Sequence, residues 1–232
     1  MRVGLLECDH VDDRFVDIDG DYSDMFAALL ANPGNIELVP YDAVNGRLPS
    51  SPDECDGWLA GGSRFSVYDD ARWIHALSGF VRDVRAAGAP YVGICFGHQL
   101  LAHSVGGRTE KAGVGWGVGA IDTRIDATDS DALLLYMHQD QVTVPPEGAV
   151  VLGRTDHCPI AMLQVGSMLG VQAHPEFSVD FVDALLDARV DRIGPDVTAR
   201  AKQSLERAGD AEHAGDSAMV GRWIVKFLVE HA

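Results

Sequence analysis

The chain has 232 residues, 47% of them hydrophobic, and a formal charge of −17 from 35 acidic against 18 basic side chains. Its length and apolar content suffice for a substantial core in one domain, or in one domain with an appendage. The acidic balance repels phosphate backbones and argues against a nucleic-acid partner, and no stretch is long and apolar enough to span a membrane.

The opening Met1-Arg2-Val3-Gly4-Leu5-Leu6-Glu7 reads as a first strand over residues 2–7 rather than a signal peptide, which places the protein in the cytoplasm. Residues 9–14, Asp-His-Val-Asp-Asp-Arg, offer metal-ligand types. No further ligands stand at a defined spacing, so the stretch is expected to be a solvated loop without a metal. Tyr22, Met25, Phe26, Leu29 and Leu30 follow helical spacing, and Asn32-Pro33-Gly34 stops that helix. Strands are expected over 36–41 and 56–60, the second delivering Gly61-Gly62-Ser63 at its end. A helix carrying Trp73, Ile74, Leu77, Phe80, Val81 and Val84 ends at Gly88. Strands and helices in alternation with short connections predict an α/β fold, a three-layer arrangement with a mostly parallel central sheet flanked by helices.

The next stretch, Tyr91-Val92-Gly93-Ile94-Cys95-Phe96-Gly97-His98-Gln99, is an apolar strand that turns into a helix. A free cysteine in a strand is commonly just a small buried residue. Gly93 and Gly97 are not needed by a plain strand, but a sharp strand-to-helix elbow needs both. Cys95 then sits at the amino end of a helix, whose unpaired N–H groups and dipole favour a thiolate.

Beyond it, 113–125 and 133–144 read as shorter strands with glycine-rich turns, a small antiparallel excursion at the sheet edge. Strands follow over 150–154 and 161–165, and another from Met168 ends at His174-Pro175-Glu176. A histidine at a strand end can serve as general base toward a thiol, with a carboxylate fixing its tautomer, so Cys95, His174 and Glu176 form a candidate triad. Helices are expected over 178–190, 195–208 and 217–230, the last two joined by a linker over 209–216. Cys8, Cys55, Cys95 and Cys158 form no C-x-x-C pair, which speaks against a disulfide scaffold or a zinc site; Cys158 lacks an elbow and is read as structural.

Three motifs together resemble the class I (triad) glutamine amidotransferases. Gly93-Ile94-Cys95-Phe96-Gly97-His98-Gln99 matches the family's Gly-x-Cys-x-Gly-x-Gln elbow, His174-Pro175-Glu176 its His-Pro-Glu signature, and Leu59-Ala60-Gly61-Gly62-Ser63 its oxyanion-hole loop. The resemblance implies a flavodoxin-like domain over 1–190, with 191–232 a helical extension packed on it. It implies Cys95 as nucleophile, His174 as base and Glu176 as its orienting carboxylate. N–H groups of Gly61, Gly62 and Phe96 are implied as the oxyanion hole, and Gln99, Met137, Gln139 and Asp140 as contacts to the substrate. Ser63 stands where relatives often have proline and Gln139 where they often have glycine. The implied substrate is glutamine or another γ-glutamyl compound, with no cofactor and no metal. The chain carries no Gly-x-x-x-x-Gly-Lys nucleotide loop, so an ammonia-consuming synthetase or acceptor enzyme would be a separate partner. Three readings stand: a glutaminase, subunit or free-standing; an independent γ-glutamyl peptidase or hydrolase; and a non-catalytic binding or regulatory protein of the same fold.

Overall fold

Short, evenly apolar runs form strands buried on both faces, as a parallel sheet requires. The computed structural model describes residues 1–31, 35–126, 128–210, 213 and 215–232. β1 (Arg2–Leu6) lies in parallel between β2 (Glu37–Tyr41) and β3 (Gly57–Ala60), and β3 pairs in parallel with β4 (Tyr91–Ile94). Side chains alternate along these strands: Val3, Leu5 and Leu59 enter the core on one face, while Leu6, Trp58 and Ala60 enter the core on the other.

The single-turn α1 (Val16–Asp19) leads to α2 (Tyr22–Leu30), whose start is set by a capping box between Asp21 and Asp24. Phe26 and Leu30 of α2 cover the Val3 face. The predicted stop at Asn32-Pro33-Gly34 lies outside the described residues. α3 (Arg72–Ala87) and α4 (Phe96–Ser104) cover the opposite face through Ile74, Leu77, Val81, Leu100 and Leu101, and α3 ends on Gly88 in the left-handed region. These are the three layers expected from the sequence.

The second half contributes β5 (Arg108–Lys111), β6 (Gly117–Ile125), β7 (Ser130–His138), β8 (Asp140–Val144), β9 (Val150–Arg154), β10 (Met162–Val165) and β11 (Met168–Val171). β11 returns to pair in parallel with β4, and from it the sheet continues antiparallel, in the order β2-β1-β3-β4-β11-β10-β9-β6-β7. The antiparallel excursion therefore prolongs the main sheet. The expected single strand over 133–144 is divided: β7 ends at His138, and β8 leaves the sheet to pair with β5 in a small second one. β5 was not expected because three of its four residues are exposed, which leaves no apolar alternation.

α5 (Val179–Ala188), α6 (Val190–Ile193) and α7 (Pro195–Ala208) cover this half, with Phe181, Leu185, Ala201 and Leu205 packed on Val118, Ala120, Leu133 and Leu135. α8 (Asp216–His231) lies beside α2, and its Val220, Ile224, Phe227 and Leu228 share the Phe26 core. Residues 211, 212 and 214 of the expected linker lie outside the described residues. Its last member, Asp216, is tied down by accepting the Leu133 N–H at 2.8 Å. Among the described residues no helix is long and apolar enough to cross a membrane.

The acidic stretch after β1 is solvated only in part: Asp13 and Arg14 are exposed, but its first two residues are held by the fold. Asp9 is buried and accepts from Arg64 Nε at 2.8 Å and from the Arg64 backbone N–H at 2.9 Å. His10 bridges Asp21 at 2.7 Å and Asp42 at 3.2 Å. These polar residues brace the carboxyl edge of the sheet.

The tightest backbone approach lies at the β4–α4 elbow. A Cβ on Gly93 would stand 2.2 Å from the Gly97 carbonyl oxygen, and one on Gly97 would stand 2.3 Å from the Ala60 carbonyl oxygen. Neither neighbour is a side chain able to swing away. Gly93→Ala and Gly97→Ala are each expected to destabilise the fold by about 3 kcal/mol or more, as overpacking against fixed backbone does. Urea unfolding checks this, and a midpoint within error of wild type would show that the elbow relaxes.

Candidate active site

At the elbow Cys95 adopts φ 51° and ψ −101°, a left-handed conformation that L-residues avoid. Three backbone bonds hold it there: Cys95 N–H to Val171 O at 2.8 Å, Gln99 N–H to Cys95 O at 3.0 Å, and Gly97 N–H to Gly61 O at 3.1 Å. The Tyr91 hydroxyl adds a bond to Gly97 O at 3.0 Å. The thiol is thereby lifted off the carboxyl ends of the parallel strands, where α/β sheets place their ligands.

β11 runs beside β4, and three residues beyond its end His174 meets the same edge, its N–H bonded to Leu135 O at 2.8 Å. Its Nδ1 lies 2.7 Å from Glu176 Oε1, both side chains being almost fully buried. Phe177 stacks on the imidazole at 3.9 Å between centroids with an 8° interplanar angle. The structure thus brings Cys95, His174 and Glu176 together. Burial alone would lower the His174 pKa, but the Glu176 charge, then the charge and hydrogen bond of Cys95, push it up to about 10. Its position beside the carboxylate thus favours the protonated form of the ring.

The glycine loop after β3 faces the imidazole. A Cβ on Gly62 would meet His174 Cε1 at 2.8 Å, so only glycine leaves the ring its place. Gly61 donates its N–H to Leu6 O at 3.4 Å, away from the elbow, and its carbonyl anchors α4. Among the described residues the N–H groups of Gly62 and Phe96 make no turn, loop or cap bond, which leaves both as candidate donors beside Cys95.

Gln99, Met137, Gln139 and Asp140 all line the cleft that holds Cys95. Gln99 is buried, with Nε2 bonded to Asp140 O at 2.8 Å and to Gln172 Oε1 at 3.1 Å, so its amide fixes the β7–β8 turn. The Asp140 carboxylate accepts from the hydroxyls of Ser66 and Tyr68. Motif reading did not find Arg64, Phe65, Trp116, Arg189 or Arg192, which line the same cleft. They stand in no spacing pattern, and the only hint in the sequence was that cations are scarce in it. Glu7, His10 and Asp21 are the one group of metal-ligating types found close together among the described residues. Both His10 nitrogens are already engaged by carboxylates there.

The other thiols are unlike a nucleophile. Burial pushes the Cys158 thiol up to about 12, and burial also raises Cys8 and Cys55. Iodoacetamide is expected to label Cys95 first in the native protein, with Cys8 and Cys158 reacting only on unfolding, as mapped by mass spectrometry. First labelling at Cys158 would contradict the assignment.

The His174 charge carries a pH signature. Its folded pKa stands above the ordinary 6.5, so its contribution to stability is complete below about pH 6.5, declines as pH rises, and is gone above about 10. Removing the carboxylate with Glu176→Gln is expected to cost most near pH 6 and progressively less toward pH 10, read from urea unfolding of both proteins. A cost constant across that range would show that Glu176 does not hold the charge.

Known proteins resemble this chain in sequence and in fold. The family described as glutamine amidotransferase class-I matches residues 16–184. Gamma-glutamyl peptidase 5 of Arabidopsis thaliana is 27% identical, over 82% of this chain and 82% of its own. A glutamine-hydrolyzing GMP synthase of Clostridium kluyveri is 30% identical over 69% of this chain, the match covering 32% of that longer protein. A solved glutamine amido transferase from Methylobacillus flagellatus shares the fold, with a TM-score of 0.72 at 20% identity over 99% of this chain and 94% of that one. With the family matched over more than two thirds of its length, the chain belongs to the class-I glutamine amidotransferases.

Proposed function

We propose that the protein hydrolyses a γ-glutamyl amide, glutamine in the simplest case, through a γ-glutamyl thioester on Cys95. The observation that carries this reading is the buried His174 ring, 2.7 Å from Glu176 and hydrogen-bonded with Cys95 at the carboxyl edge of the parallel sheet. The names of the two curated relatives, a gamma-glutamyl peptidase and a glutamine-hydrolyzing synthase, share one chemical object, the amide on a γ-glutamyl group.

In the first step the Cys95 thiolate attacks the γ-carbonyl carbon. The oxyanion is held by the N–H groups of Gly62 and Phe96, while Gly61 anchors their loop to α4 through its carbonyl. His174 already carries the proton that the leaving amine needs and transfers it as the C–N bond breaks. The neutral ring then takes a proton from water, whose oxygen attacks the thioester; glutamate leaves and the thiolate–imidazolium pair is restored. Glu176 keeps the ring in one tautomer throughout. Gln99, Met137, Gln139 and Asp140 surround the glutamyl group, with the Asp140 carboxylate suited to its α-ammonium. Where glutamine is the substrate, the ammonia would pass to an acceptor enzyme on another chain.

The test is glutamate release by the purified protein from glutamine and from γ-glutamyl-p-nitroanilide, with Cys95→Ala beside it. Turnover that falls by about 1,000-fold or more in Cys95→Ala is expected, the scale seen when a nucleophile is lost. Equal rates in both proteins would refute the thioester mechanism, and inactivity of wild type on both compounds would refute the reaction.

A further inference from the structure

Two arginines have no evident task in this chemistry. Arg189 caps the end of α5, and Arg192 follows it on α6. Arg64, beside them, is neutralised by Asp9 and also donates to His10 O at 3.0 Å. Arg189 makes no ion pair or side-chain hydrogen bond among the described residues, although it is partly buried. The guanidinium of Arg192 has only the ring of Trp116, 5.7 Å from its centroid. A partly buried cation without a hydrogen-bonded carboxylate is costly; Asp9, already paired with Arg64, acts on Arg189 only through its charge, in a chain with 35 acidic side chains.

Three cavities meet at these side chains. One holds Cys95 with Gln99 and Asp140. A second, smaller one holds Cys95 with His174 and Gly62, without Gln99 or Asp140. A third runs outward past Tyr22 and His10. Arg189 lines all three, and Arg192 lines the first and the third. In the proposed reaction His174 protonates the departing amine, so the leaving group occupies the His174 side of the sulfur. The small cavity on that side shares Tyr22, Arg64, Leu185 and Arg189 with the third. Ammonia would use none of this space.

We propose that Arg189, with Arg192 beside it, binds a carboxylate on the leaving group, so that the favoured substrates are γ-glutamyl amides of amino acids or peptides with a free carboxylate. The inference rests on the γ-glutamyl hydrolysis proposed above and narrows its substrate class. A planar guanidinium fork matches a carboxylate with two parallel hydrogen bonds, which fixes the departing amine's orientation as well as holding it.

The experiment compares γ-glutamylglycine with γ-glutamylglycinamide, which differ only in the terminal charge, and includes glutamine. Wild type is expected to favour the free acid in kcat/KM by about 10- to 100-fold, the size of one charged hydrogen-bonded contact. Arg189→Gln should collapse that acid-to-amide ratio toward about 1, chiefly through KM, and Arg189→Lys should restore part of it. Arg192→Gln should lower the same ratio by less, and it carries the test if Arg189→Gln does not fold. Equal wild-type rates on acid and amide, glutamine as the best substrate, or a parallel fall on both compounds in Arg189→Gln would overturn the proposal. The parallel fall would assign Arg189 to the fold or to the glutamyl carboxylate. Hydrolysis of γ-glutamyl compounds without charge discrimination removes this inference alone, whereas no hydrolysis at all removes the underlying reaction.

Discussion

The molecule depends on one backbone contact, the packing of the β4–α4 elbow against the end of β3. With no side chain at Gly93 or Gly97, the first turn of α4 lies directly on the Ala60 carbonyl. That approach forces Cys95 into a left-handed conformation, which costs about 1–3 kcal/mol for an L-residue. Hydrogen bonds donated by the elbow's N–H groups to two neighbouring carbonyls, Val171 O and Gly61 O, hold the strain in place. The loop that offers the candidate Gly62 donor is bound to α4 through its Gly61 carbonyl, so sulfur and donor are positioned by one rigid junction.

A second constraint is electrostatic. Placing a cationic imidazole where its side chain is only 4% exposed is unfavourable by burial alone, and only the adjacent Glu176 and Cys95 reverse the sign of that shift. His138 shows the contrast in the same cleft: burial and neighbouring histidines push its pKa down to about 3, and it stays neutral. The two buried rings differ because one has a carboxylate at 2.7 Å and the other bonds a backbone carbonyl at 2.9 Å.

Much of this could be read from the sequence because it rests on local rules. Period-two burial, helix stops and the glycine pair of an elbow each act over a few residues, and they yielded the parallel half of the sheet and the positions of Cys95 and His174 at its edge. Non-local effects escaped. Asp9 and His10 looked solvated because Arg64 and Asp42, their partners, lie on loops that only the fold brings near. The exposed β5 has no apolar pattern and is a strand only because β8 leaves the main sheet to meet it. Gly61 looked like a donor from its motif, but the turn of the chain directs its N–H to Leu6. Arg189 and Arg192 reach the cleft through the packing of α5 and α6 on the antiparallel half, which no spacing announces.

Those arginines also change how the overall charge should be read. A net −17 repels an anionic substrate at long range. Within a Debye length of about 8 Å the nearest charges decide, and the cleft that holds Cys95 is lined by Arg64, Arg189 and Arg192 together with the carboxylate of Asp140; Arg64 is paired with Asp9, whereas Arg189 and Arg192 make no ion pair among the described residues. The Arg189 and Arg192 side of the cleft is therefore cationic inside an acidic envelope. A γ-glutamyl peptide carries carboxylates at both ends, and such a site attracts it only once it has entered, so discrimination falls on the bound geometry rather than on the encounter. In the proposed reaction the short-range cations, rather than the envelope, would select for a carboxylate beyond the bond to be cut.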